Sequence, residues 1–215
     1  ENLTAAGWEA LGVTLTPNAG TNRRGYNRLW KLATNSTTQS VLLQQGIPIT
    51  TGGLVYAQGV FKYSNNDWLR ISLRSATFAT QCIGWFNLNT GVVGGAYNAG
   101  TGTTLPTVAM VPLGSGFFLC RVSANVGTTA TCVVEIANVD ANFGSGLIIG
   151  KECYLDELQV QVGGHTDAIY PESPTAGRLA VYIQSNPIAV QVGAGNAVVQ
   201  VRDHFNLPLP GASAF

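Results

Sequence analysis

The run Cys153-Tyr-Leu-Asp-Glu-Leu-Gln-Val-Gln-Val162 alternates in side-chain character from one residue to the next. A period of two suits a strand with one buried face, whereas a helix repeats its faces every ~3.6 residues and cannot use it. Tyr154, Asp156, Leu158, Val160 and Val162 fall on one face, with Cys153, Leu155, Glu157, Gln159 and Gln161 on the other. The first set is mostly apolar and is expected to point inward. Asp156 is its awkward member, because an inward carboxylate needs a partner.

The same period recurs along the chain. In Trp68-Leu-Arg-Ile-Ser-Leu-Arg74 it places Leu69, Ile71 and Leu73 inward and Trp68, Arg70, Ser72 and Arg74 outward. Val13 and Leu15 alternate with Thr14 and Thr16, and further strands are expected over residues 26–33, 40–45, 54–63 and 131–139. Pro48, Gly52-Gly53 and Asn65-Asn66-Asp67 mark turns. The Gly- and Thr-rich residues 91–107 read as a loop, with at most a short strand at 107–111, and residues 140–146 read as a polar loop.

Composition fits an all-β chain. Of the 215 residues 46% are apolar, spread as short runs, and only 10% are charged, which is not the pattern of a disordered chain. The net charge is zero and the basic residues are scattered apart from Arg23-Arg24. A nucleic-acid partner is therefore not expected, since phosphate neutralisation dominates such binding. No apolar run approaches the roughly 20 residues that cross a bilayer as a helix, so membrane insertion is not expected either. Because the chain starts at Glu1 rather than Met, processing or excision from a longer protein is expected. Cys82, Cys120, Cys132 and Cys153 lack metal-ligand spacing and sit in apolar strand patterns. They read as buried thiols, with disulfides left open.

Several segments in order resemble one family. Asn2-Leu-Thr with Trp8 and Gly12-Val-Thr-Leu-Thr, Leu29-Trp-Lys-Leu and the 54–63 strand with Lys62 are followed by Cys82-Ile-Gly-Trp-Phe-Asn-Leu-Asn-Thr-Gly91 and Gly114-Ser-Gly-Phe-Phe-Leu-Cys-Arg-Val. Leu158-Gln-Val-Gln-Val then precedes Thr166-Asp-Ala-Ile-Tyr-Pro. Together they resemble a jelly-roll module of bacteriophage tail and virion proteins, itself similar to the carbohydrate-binding β-sandwiches attached to glycoside hydrolases. The resemblance spans residues 2–177. It implies a jelly-roll β-sandwich over residues 1–177. It also implies a structural calcium, with Asp156 in the family's acidic position of the last strand; Glu9 follows Gly7-Trp8 at a spacing unlike the family's early Glu. No other cofactor is expected. Residues 178–215 hold three short β-type runs, too small for an independent sheet, and read as a C-terminal β-rich assembly arm.

Catalytic constellations are sparse. His165 and His204 have no nucleophile elbow near them. Glu135 with Asp156 or Glu157 could be set as a glycosidase pair, but strand carboxylates are more often solvated or salt-bridged. An enzyme is not expected. Sugar recognition calls for an aromatic face with polar donors and acceptors around it. Trp68, Arg70 and Arg74, with Trp85 and Arg121, supply that set on outward strand positions.

The expected function is a non-enzymatic virion component, a tail appendage or capsid decoration at the particle surface, with a glycan-binding outer face. Its expected partners are other virion proteins, further copies of itself as a dimer or trimer, and a cell-surface glycan. A purely structural cement protein and a carbohydrate-binding module excised from a polysaccharide-degrading enzyme remain the alternatives.

Overall fold

The structure, a computed structural model, describes residues 7–39, 41–49 and 52–163. The C-terminal arm expected over 178–215, His165 and His204 lie outside them.

Twelve strands make up the described residues: β1 (Trp8–Leu11), β2 (Val13–Thr16), β3 (Trp30–Thr34), β4 (Val41–Pro48), β5 (Leu54–Tyr63), β6 (Trp68–Arg74), β7 (Gln81–Asn87), β8 (Val92–Ala99), β9 (Thr107–Gly114), β10 (Phe117–Asn125), β11 (Thr131–Val139) and β12 (Glu152–Val162). They form two antiparallel six-stranded sheets, ordered β1-β4-β11-β6-β7-β8 and β2-β3-β12-β5-β10-β9. The chain changes sheet between β4, β5 and β6, and again between β10, β11 and β12. That winding of one antiparallel ribbon over itself makes the β-sandwich a jelly roll.

The inner faces meet as the period-two pattern requires. Leu69, Ile71 and Leu73 of β6 are fully buried against Val55, Phe61, Val122 and Leu155 of the facing sheet's core. Near one end a buried amide ties the two sheets. Asn138 of β11 donates from Nδ2 to the carbonyls of Leu32 (3.1 Å) and Lys151 (3.2 Å), and its Oδ1 accepts from Asn66 Nδ2 at 3.3 Å.

Three expectations need correction. First, β8 occupies residues 92–99, where a loop was expected. Glycine lowers strand propensity, yet Gly94 and Gly95 are required there by what packs on them, as shown below. Second, the face assigned inward on β12 holds only for its second half. The pairing with β5 shifts between Leu155 and Leu158, so Cys153 and Leu155 point into the core before the bulge and Leu158 after it. Tyr154 packs instead on an outer cluster with Leu29, Val60, Leu113, Phe117 and Leu119. A bulge moves every later side chain to the other face, which strict alternation cannot reveal. Third, β3 begins at Trp30, because residues 17–29 form a loop, and β1 went unmarked in the sequence.

All four cysteines are buried free thiols. Burial pushes Cys82 up to about 11 and both Cys132 and Cys153 up to about 12, and it raises Cys120 as well.

Two outcomes follow. Asn138→Ala should lower unfolding free energy by about 1–3 kcal/mol in urea titrations, since buried polar groups lose their partners; an unchanged midpoint would show that the amide does not tie the sheets. The folded thiols keep their protons at pH values where an unfolded chain releases them. Stability should therefore be full below pH 9 and fall as pH rises toward 12. At pH 8 iodoacetamide should modify none of the four until denaturant is added, as mass spectrometry would record.

Candidate functional site

Strand β6 presents Trp68, Arg70, Ser72 and Arg74 on the outer face of the first sheet, as the sequence indicates. Register fixes their neighbours. Arg70 lies beside Trp85 on β7 and Ala137 on β11, and Ser72 lies between Ile83 and Glu135. Ile83 in turn pairs with Tyr97 on β8. This face is not bare. Val41, Leu43, Ile83, Trp85, Val133, Ala137 and Val139 form a second buried cluster on it, with Leu11, Trp68 and Leu147 packed against them. Trp85, Ser72 and Arg74, expected at the surface, are buried, whereas Trp68 and Arg70 are half-buried.

Arg74 is held at both terminal nitrogens and over an aromatic ring, with Nε alone left without a partner. Its guanidinium donates to Glu135, to the carbonyl of Ser75 at 2.9 Å and to that of Ala76 at 3.4 Å, and it lies 3.7 Å from the centroid of the Phe78 ring. Glu135 belongs to a buried ion pair, not to a solvated strand surface.

The loop over residues 140–150 covers the other end of the face. Gly146 N donates to Asp140 Oδ1 at 3.2 Å and Gly144 N to the Ala141 carbonyl at 2.9 Å, which curls the loop. It is pinned to β8 and β7 by Gly95 N donating to Asn142 Oδ1 at 2.7 Å and Trp85 Nε1 donating to the Gly144 carbonyl at 2.9 Å. Phe143 then lies over Trp85, with ring centroids 5.1 Å apart and planes tilted by 42°. A Cβ on Gly95 would overlap the Phe143 ring, and one on Gly94 would come within 2.6 Å of the Trp68 ring. Two glycines in β8 are what allow the loop to sit down.

Two phenylalanines stand out. Phe78 and Phe143 have φ of 60° and 59°, a left-handed conformation that bulky side chains rarely adopt. Both are exposed, at 55% and 60%. Each ring is braced from beneath, Phe78 by the Arg74 guanidinium and Phe143 by the Trp85 indole, and each remains open to solvent. Arg74 and Arg70, the latter beside Trp85, are four residues apart on β6, roughly 13 Å at strand rise. Exposed Tyr97 flanks the stretch between. The sequence reading missed Phe78, Phe143 and Tyr97; the signal available was a lone aromatic within each of the small-residue runs Ser75-Ala-Thr-Phe-Ala-Thr80 and Ala141-Asn-Phe-Gly-Ser-Gly146.

Arg121 does not join this group. It lies on the outer face of the second sheet, where its Nε donates to Gln58 Oε1 and Gln58 Nε2 to Gln159 Oε1, both at 2.9 Å, across β10, β5 and β12. Asp156 sits in the β12 bulge and finds its partners in the loop over residues 17–29. Asn22 Nδ2 donates to it at 3.3 Å, Arg28 Nε lies 3.7 Å away, and Arg24 and Arg28 both approach the neighbouring Glu157. The Arg28 guanidinium thus lies beside the carboxylate to which the resemblance assigned calcium. Among the described residues no three His, Cys, Asp or Glu are grouped to hold a metal ion.

No family model matches the chain, and no curated protein matches it significantly. Two solved structures are similar. One is the enzymatically active domain of tailspike protein 4 of bacteriophage CBA120, at 13% identity and a TM-score of 0.40, covering 75% of this chain and 20% of that one. The other is a "putative sugar binding protein" of Bacteroides thetaiotaomicron, at 11% identity and 0.37, covering 72% and 86%. The chain thus spans about a fifth of the tailspike chain's length. Both likenesses are too distant to bear on function, which rests on the geometry of the face.

Gly95→Val should lift the 140–150 loop from β8 without touching the core. Trp85 fluorescence should shift to longer wavelength while the unfolding free energy from urea titration falls by no more than about 1–2 kcal/mol, as expected of a site outside the main core. An unchanged emission maximum would mean that the loop does not rest on that glycine.

Proposed function

We propose that the chain is a non-enzymatic glycan-recognition module, and that sugar docks on the outer face of the first sheet between Phe143 and Phe78. One observation carries this reading: two exposed phenylalanines, each held at positive φ and each braced from below, leave two aromatic surfaces open to solvent. Backbone strain of about 1–3 kcal/mol per residue persists where the surrounding structure over-determines it, and such outliers cluster at ligand-contacting sites. A pyranose offers an apolar face to an aromatic ring and hydroxyls to nearby polar groups. Arg70 and exposed Tyr97 lie between the two rings to meet them.

Acid–base hydrolysis needs two facing carboxyl groups. Glu135 is paired with Arg74 on the first sheet, and Asp156 and Glu157 are engaged by Arg28 on the second, so these acids do not face one another. The sequence resemblance to phage virion modules supports a place at the surface of a particle, as a tail appendage or capsid decoration that presents this face outward.

A panel of bacterial surface polysaccharides tests the reading. Phe143→Ala and Phe78→Asn should each weaken binding roughly tenfold, the effect of losing about 1.4 kcal/mol of ring contact. Asn tolerates the left-handed conformation, so Phe78→Asn should melt no lower than wild type. Equal binding by wild type and both variants would remove the face from the account, and a wild type that binds nothing would favour the structural cement role.

A further inference from the structure

We infer that the ligand of this face is an anionic glycan, whose carboxylate or phosphate group seats on Arg70; this rests on the glycan reading of the same face. Arg70 is half-buried beside Trp85 and Ala137, and its guanidinium makes no hydrogen bond to any described residue. Its Nε is wholly shielded from solvent without a partner. Two positions along the same strand face, the buried Ser72 Oγ is also without a partner. Arg74 Nε, further along the face, also lacks a partner, but the terminal nitrogens of Arg74 are held by Glu135 and the Ser75 carbonyl; Arg70 has no such hold, although buried polar atoms in folded proteins are nearly always hydrogen-bonded.

The charges around Arg70 are unbalanced. Glu135 is the acid nearest in the register, and Arg74 has taken it as a direct partner. Burial pushes the pKa of Arg70 down; Glu135 opposes that shift and Arg74 adds to it. Asp140, in the loop that covers one end of the face, accepts a hydrogen bond from Gly146 N at 3.2 Å, and Glu9 lies on β1, two strands beyond Glu135, where it is exposed and accepts a hydrogen bond from Gln45 at 2.9 Å. A guanidinium cannot shed its proton to relieve the imbalance. A half-buried cation is costly unless an anion pairs with it, and the planar guanidinium fork matches carboxylate and phosphate oxygens two at a time. Phe143, stacked on the neighbouring Trp85, can hold the sugar ring that carries the acid.

Matched polymers separate this inference from the glycan reading beneath it. Polygalacturonate would be compared with its carboxyl-reduced form, and a phosphorylated mannan with the same mannan after phosphatase treatment, by affinity electrophoresis at two salt concentrations. The expected result is that wild type holds the acidic member of one pair at least tenfold more tightly, that salt narrows the gap, and that Arg70→Gln abolishes it. The pair that shows the gap identifies the acid. Phe143→Ala should weaken both members of that pair. Equal retention of charged and uncharged forms, both lost in Phe143→Ala, would overturn the anion assignment and leave the glycan face standing. Retention of none of the four polymers would overturn both. The comparison of matched polymers on wild type decides the matter even where Arg70→Gln fails to fold.

Discussion

The indole of Trp85, hydrogen-bonded to the Gly144 carbonyl and stacked beneath Phe143, is the contact on which the rest of the outer face depends. It converts a loop between β11 and β12 into a cover for one end of the first sheet. A sheet whose inner face packs on a partner normally leaves its outer face polar and wet. Here Trp85 gives that face a small apolar core of its own, on which Trp68, Ala137 and Leu147 also rest. The two glycines of β8 complete the arrangement by leaving room for the rings above them.

Everything else on this face is arranged around two costs that the sandwich must absorb. Phe78 and Phe143 keep strained backbones and exposed rings; Arg70 and Ser72 keep unpartnered polar atoms. None of this improves stability, and proteins commonly give up stability where a surface has work to do. The core carries less of this compromise, with Thr34 Oγ1 on β3 a buried polar atom without a partner. Leu69, Ile71, Leu73 and Phe61 are fully buried in regular strands, and the Asn66–Asn138 amides at the end of the sandwich are matched to partners.

How much of this was legible in the sequence differs by element. β2, β5, β6 and β11 keep the bounds expected of them; in β2 and β6 the alternation marks the core face, whereas β5 and β11 bury apolar side chains on both faces and were legible only as continuous strand-like runs. β8 was hidden by its own glycines, which lower propensity but answer to rings contributed from Phe143 and Trp68, distant in sequence. The β12 bulge was hidden because a shift of one residue leaves a pattern that still alternates. For the site, outward Trp68 and Arg70 were legible from β6 alone. The burial of Trp85 and Arg74 was not, since it depends on loop 140–150 and on Phe78, whose positions no local pattern encodes. Arg121 was misgrouped for a related reason: alternation tells which residues point outward, but not which sheet they belong to.

The central claim is that ligand sits on the outer face of the first sheet, over β6 and β7. Backbone amide chemical shifts of isotope-labelled protein, titrated with an oligosaccharide cut from a retained polymer, test it most directly. The shifts should concentrate at Arg70, Ser72, Phe78, Gly95, Tyr97 and Phe143, fading along both sheets away from them. Shifts centred instead on Gln58, Arg121 and Gln159 would place the ligand on the opposite sheet and contradict it.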